Sequence, residues 1–175
     1  MAGGGQNRPV FRLEDYFVGR TRAWGIFQDR FGTLRQQFAV TVKGTWEPDT
    51  RQLTLVEDFV YDTGATEQRI WYVTKTGDTH YEGRTKGIVD RAHIRALPDQ
   101  VHLRYRLQVP IGGRSWTLAF DDRMYRQDDH VMINRAIVRK WGFLLGTATI
   151  CFRKEGAQTD DAAAPKEAAE AGAAS

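Results

Sequence analysis

The sequence predicts an all-β protein, an antiparallel up-and-down β-barrel of about ten strands behind a short N-terminal helix. Three observations carry that reading. Apolar side chains recur with a period of two, the spacing of half-buried strands: Val101, Leu103, Tyr105, Leu107 and Val109 alternate with His102, Arg104, Arg106 and Gln108. Tight-turn residues separate the apolar runs, as at Glu47-Pro48-Asp49, Thr76-Gly77-Asp78 and Ile111-Gly112-Gly113. No long helical pattern alternates with the strands, so parallel βαβ units are not expected. About ten strands must close or fold over to hide their edges. A barrel does this most economically; a two-sheet sandwich is the alternative.

Taken in order, residues 1–10 (MAGGGQNRPV) carry no core pattern and are expected to be a flexible lead-in. Arg12 to Val18 (RLEDYFV) reads as the helix, stopped by Gly19. Strands are predicted near 22–30, 34–46, 51–61, 67–76, 79–86, 88–97, 101–110, 114–126, 130–140 and 143–153. One domain over 11–154 follows, long enough to bury a sizeable core. The last stretch, 155–175, is Ala-rich and acidic, five carboxylates against one lysine, and is expected to be a disordered tail. The body before it holds 24 basic and 17 acidic residues, a net of +7 inside an overall charge of +3.

Composition excludes several function classes. With 41% hydrophobic and 27% charged residues, the body is ordinary globular protein. No run approaches the length of a membrane helix. The N-terminus shows neither an apolar leader core nor a lipid-bearing cysteine, so a soluble, cytoplasmic protein is expected. The lone cysteine, Cys151, lies in an apolar run and reads as a small buried hydrophobe. His80, His93, His102 and His130 lack metal-ligand spacing, and no glycine-rich phosphate loop precedes a helix; neither metal nor cofactor is expected.

A barrel of this size has room for side chains or one small ligand, so polar residues on apolar faces carry the functional argument. Glu57 interrupts Leu53, Leu55, Phe59 and Tyr61; Asp122 interrupts Trp116, Leu118, Phe120 and Met124. Arg69 shares a face with Trp71 and Val73, and Arg135 with Val131, Ile133 and Ile137. Charges inside a barrel should pair, so Glu57 and Asp122 are expected to meet Arg69 and Arg135, or to form the polar end of a ligand site. Trp24, Trp71, Trp116, Phe59 and Tyr61 would supply its apolar walls. The leading expectation is a small hydrophobic or amphipathic ligand, such as a lipid, held inside. An isomerase or cyclase using Glu57 or Asp122 is the enzymatic alternative.

A second constellation is external. A turn at Leu97 to Gln100 sets Arg95 opposite His102, His93 opposite Arg104 and Arg91 opposite Arg106. Like charges face one another there, so this ribbon needs an anionic partner or carboxylates from adjacent strands, with Glu82 and Asp121 the candidates. It admits contact with a membrane surface. Interleaved aromatics, which nucleic-acid binding would favour, are missing.

An ordered series of segments also resembles a known family. It comprises Leu13-Glu14-Asp15-Tyr16-Phe17-Val18-Gly19, Ala23-Trp24-Gly25-Ile26-Phe27-Gln28-Asp29-Arg30-Phe31-Gly32, Gly44-Thr45-Trp46, Leu55-Val56-Glu57-Asp58-Phe59 with Gly64, Arg69-Ile70-Trp71, Asp121-Asp122-Arg123-Met124, Asn134, and Lys140-Trp141-Gly142-Phe143 with Gly146. Together these resemble the bacterial domain-of-unknown-function 3833 family over about residues 11 to 154. The resemblance implies a lipocalin-like barrel and assigns no catalytic residues. Many members carry a lipidated N-terminal cysteine, which this sequence lacks. Arg123 and the stretch Arg91 to Leu97 also depart from the tryptophan and glycines expected there.

Overall fold

A computed structural model describes residues 9–156. The expected flexibility of the N-terminus and disorder of the acidic tail fall mostly on residues outside that range. Helix α1 (Leu13–Phe17) precedes ten strands: β1 (Gly19–Asp29), β2 (Leu34–Glu47), β3 (Gln52–Tyr61), β4 (Thr66–Lys75), β5 (His80–Arg84), β6 (Ala92–Ala96), β7 (Gln100–Ile111), β8 (Arg114–Arg126), β9 (Val131–Lys140) and β10 (Phe143–Lys154). Each strand pairs antiparallel with its sequence neighbour, and β1 pairs β10, closing the barrel from Thr21↔Lys154 to Asp29↔Gly146. Closure removes the exposed edges that an open sheet would leave.

An up-and-down barrel has two different ends. Helix α1 lies at one, with the turns that follow β2, β4, β6 and β8. Phe11, Leu13, Tyr16 and Phe17 plug that end, and beneath them Val42, Leu53, Tyr81, Val101 and Met132 are almost fully buried. The plug is fastened by polar bonds as well as by apolar burial. The Tyr16 hydroxyl donates to the His130 carbonyl at 2.8 Å. Buried Glu14 accepts from Lys75 Nζ at 2.6 Å and from the Tyr81 hydroxyl at 2.7 Å. Gly44 lets the helix sit this close, because a Cβ there would overlap the Phe17 carbonyl. The hairpin turns after β1, β3, β7 and β9, and the longer β5–β6 connection, form the other, uncapped end.

The interior face is read directly from burial. On β3, Leu53, Leu55 and Phe59 point inward, and on β4 Trp71 and Val73 do. Strand β9 departs from expectation. Its inward residues are Met132, Asn134, Ala136 and Val138, so Arg135 is on the outside. Cys151 and Trp24, cross-strand neighbours, are also external and exposed, which corrects a buried thiol and an interior Trp24. No helix among the described residues is long and apolar enough to cross a membrane.

Candidate functional site

The barrel interior changes character along its axis. Near α1 it is filled. Toward the uncapped end, inward-facing Phe38, Glu57, Tyr61, Arg69, Tyr105, Phe120 and Ile150 are only partly buried. Side chains that point into a barrel and still meet water line a lumen. Its walls are aromatic: Trp71 meets Tyr105 edge to face at 5.3 Å, and Tyr105 stacks on Phe120 at 4.9 Å. Phe38, Phe59 and Tyr61 form a second cluster with centroids 5.9 to 6.0 Å apart. The Arg69 guanidinium lies over the Phe59 ring at 5.0 Å.

Three of the four predicted interior charges meet here. Glu57 and Arg69 are direct cross-strand neighbours. The expected pairing is replaced by another. Arg69 donates to Glu67 at 2.8 Å, and the Tyr61 hydroxyl donates to the same carboxylate at 2.8 Å. Glu57 has no ion-pair partner within 4.0 Å among the described residues. Burial pushes its carboxyl up to about 7, with the Arg69 charge opposing. Asp122 receives Asn134 Nδ2 at 3.3 Å and the Tyr105 hydroxyl at 3.4 Å rather than an arginine. Burial outweighs those two bonds and pushes Asp122 up to about 7 as well. Asp122 Oδ1 and Asn134 Oδ1 are buried without protein partners. Burial also drives the Tyr105 phenol well above its ordinary range. The constellation can therefore hold a proton on either carboxyl near neutrality and present a guanidinium and a phenol to the same space.

Sequence reasoning missed Glu67, Tyr105 and Asn134 as partners. Tyr105 and Glu67 were visible as members of period-two faces, Tyr105 between Leu103 and Leu107. Asn134 is hidden because both parities of β9 are apolar. Trp116 stands at the lumen mouth, edge-on to Trp141 at 6.2 Å, with Lys140 over its ring.

Two of the three cross-strand pairs expected in the basic ribbon form. His93 faces Arg104 and Arg95 faces His102. Arg91 lies before β6 and is not in register with Arg106, whose carbonyl instead accepts from Val89 N–H at 2.9 Å. The expected carboxylates are supplied: Glu82 binds Arg91 at 2.6 Å and Asp121 binds His102 at 2.7 Å. The cations continue onto β8 and β9. One row of cross-strand neighbours runs His80, Arg95, His102, Arg123, Arg135. Beside it lies a groove of about 350 Å³ lined by Arg91, Arg104, Arg106 and Arg139 together with Asp90 and Asp121.

Among solved structures the fold has relatives of low sequence identity. An S-type phycobiliprotein lyase from Guillardia theta superposes with a TM-score of 0.60 at 11% identity, over 83% of this chain and 93% of that one. A protein of unknown function from the DUF3598 family of Nostoc punctiforme superposes with a TM-score of 0.56 at 11% identity. There the match covers 84% of this chain and 50% of the other. Identities this low establish the shared lipocalin-like barrel and nothing of its chemistry. No curated protein matches the chain in sequence. The family described as "Protein of unknown function (DUF3833)" matches residues 4–154, nearly the whole folded body, and the chain belongs to that family.

Proposed function

We propose that this barrel binds a small amphipathic molecule in its lumen, entering through the uncapped end. Phe59, Tyr61, Trp71 and Trp116 would contact the apolar body of the ligand. Glu57, Arg69 and Asp122 would meet its polar group. The supporting observation is Glu57, a carboxyl on an inward face, open to the lumen and without an ion-pair partner, beside a guanidinium held by another residue. A barrel that only needed a core would fill that position with an apolar side chain, because an unpaired interior charge is expensive. Gentle purification, denaturation and mass spectrometry of the released small molecules test the reading. A lipid or other amphipath near one equivalent is expected, with Arg69→Ala and Glu57→Gln proteins recovered empty. Protein that carries nothing and whose Trp71 emission no added fatty acid alters would overturn it.

A second reading rests on the outer arginines. Arg123 and Arg135 are direct cross-strand neighbours. Arg135 has no carboxylate within 4.0 Å among the described residues. Like charges so placed disfavour the sheet unless an anion joins them. Arg91, His93, Arg95, His102, Arg104 and Arg106 would form the rest of that anionic-partner face. Retention on heparin that about 0.5 M salt abolishes is expected; passage through the column at low salt removes the reading.

A further inference from the structure

The uncapped end of the barrel is strongly exposed and apolar. Three hairpin tips stand next to one another there, because β2, β1, β10, β9, β8 and β7 are consecutive in the barrel. Two of them carry the three most exposed large hydrophobic side chains among the described residues: Trp141 at 82%, Phe31 at 77% and Phe143 at 73%. Leu34, Ile111 and Leu144 are exposed beside them at 50%, 49% and 41%. Water-facing aromatics in such numbers on adjacent tips are not needed for folding, and contiguous apolar patches mark interaction sites.

The backbone shows what this rim costs. Trp141 and Gly142 occupy the β9–β10 turn with φ of 50° and 84°. Two consecutive left-handed residues are the requirement of the tightest hairpin, where Asn-Gly is the favoured pair. A bulky tryptophan in that conformation is strained. An ordinary turn residue would close this hairpin better, so the side chain at 141 is kept for what it contacts.

Charge narrows the contact. Arg30 lies over the Phe31 ring at 4.7 Å and Lys140 over Trp141 at 4.2 Å. Arg114 and Arg139 flank the same tips. The one carboxylate on the β1–β2 tip, Asp29, is occupied by Arg35 at 2.6 Å and by two backbone N–H groups. Aromatic side chains interleaved with free cations are the composition of an interfacial belt, in which rings enter the headgroup layer and cations meet phosphates. A second copy of the chain would bring the same cations face to face. The neighbouring β3–β4 tip, with Asp62 just after β3 and Glu67 on β4, is acidic and polar, which leaves that part of the mouth facing water.

We infer that the uncapped end of the barrel docks on an anionic lipid surface through the tips bearing Phe31, Trp141 and Phe143. This goes beyond ligand binding in the lumen and does not depend on it. Flotation with phosphatidylcholine vesicles, with and without about 30 mol% phosphatidylglycerol, tests it. The wild-type chain is expected to float with the anionic vesicles and not with pure phosphatidylcholine, with its tryptophan emission shifted to the blue. Three substitutions made together, Phe31→Ser, Trp141→Asn and Phe143→Thr, should weaken binding at least about tenfold. Asn suits the left-handed turn position, so the variant should melt no earlier than the parent. Lys140→Glu with Arg30→Glu should abolish the preference for phosphatidylglycerol. Failure of the wild type to float overturns the inference, and so does unchanged flotation of the triple variant. A wild-type dimer that the triple variant converts to monomer, with no vesicle binding, would make the rim an interface between copies instead.

Discussion

Glu14 shows at the scale of a single residue how the plug is held. Burial alone would raise its carboxyl, but Lys75, a backbone N–H and the Tyr81 hydroxyl outweigh it and hold the group at about 2. A depressed carboxyl stabilises the fold above its ordinary value and loses that contribution as pH falls toward the depressed one. The urea midpoint of unfolding should therefore fall between about pH 5 and pH 2. Glu14→Ala, which strands Lys75 at a site where its side chain is 10% exposed, should cost about 3 kcal/mol at pH 7. The lumen carboxyls work in the opposite sense. Glu57 and Asp122 are raised from 4.5 and 3.8 to about 7, so their contribution is fully present below pH 4 and lost as pH rises through 7. Asp122→Asn should raise the melting temperature at pH 8 and change it little at pH 4; an equal shift at both would deny the perturbed carboxyl. Both acids were legible as breaks in a period-two apolar face. What surrounds them was not, because alternation says which way a side chain points and nothing about which of several inward groups it meets. Hence Arg69 was expected on Glu57 and is found on Glu67.

Strands were legible nearly to their ends, since turn residues punctuate them, and the expected 114–126 coincides with β8. The failures cluster where both faces of a strand are apolar. On β9 the odd positions Val131, Ile133 and Ile137 look as much like core as the even ones, so alternation does not choose between them. Those odd residues face outward, and Ile133 joins an external row that the register lays out as Tyr125, Ile133, Cys151, Trp24, Ala39 and Val60, one residue from each of six strands. The same row exposes Cys151 and Trp24. Two element-scale predictions follow from register and packing. Gly44→Ala should displace α1 from β2, costing about 2 kcal/mol and opening the Phe17–Gly19 junction to proteolysis. Arg135→Glu should convert a like-charged cross-strand pair into an opposite one and stabilise the barrel by about 0.5 kcal/mol, read from the denaturant midpoint.

For the whole molecule, closure, helix cap and open mouth make the two ends different: one is plugged and packed, the other is open. The antiparallel order was legible because each hairpin is local, yet no local signal specifies that the first strand meets the last. That seam has a kinetic meaning. Every other strand pair joins sequence neighbours, whereas β1 and β10 bring together residues as far apart as Thr21 and Lys154. Bringing the ends of so long a chain together costs about 4 kcal/mol of loop-closure entropy before any contact rewards it. The seam should form last and slowly, and until then two unpaired edges are available to another chain. Rejoining the chain across the seam and opening it at Gly112-Gly113 would turn that pairing into a hairpin and move the slow step to β7 and β8.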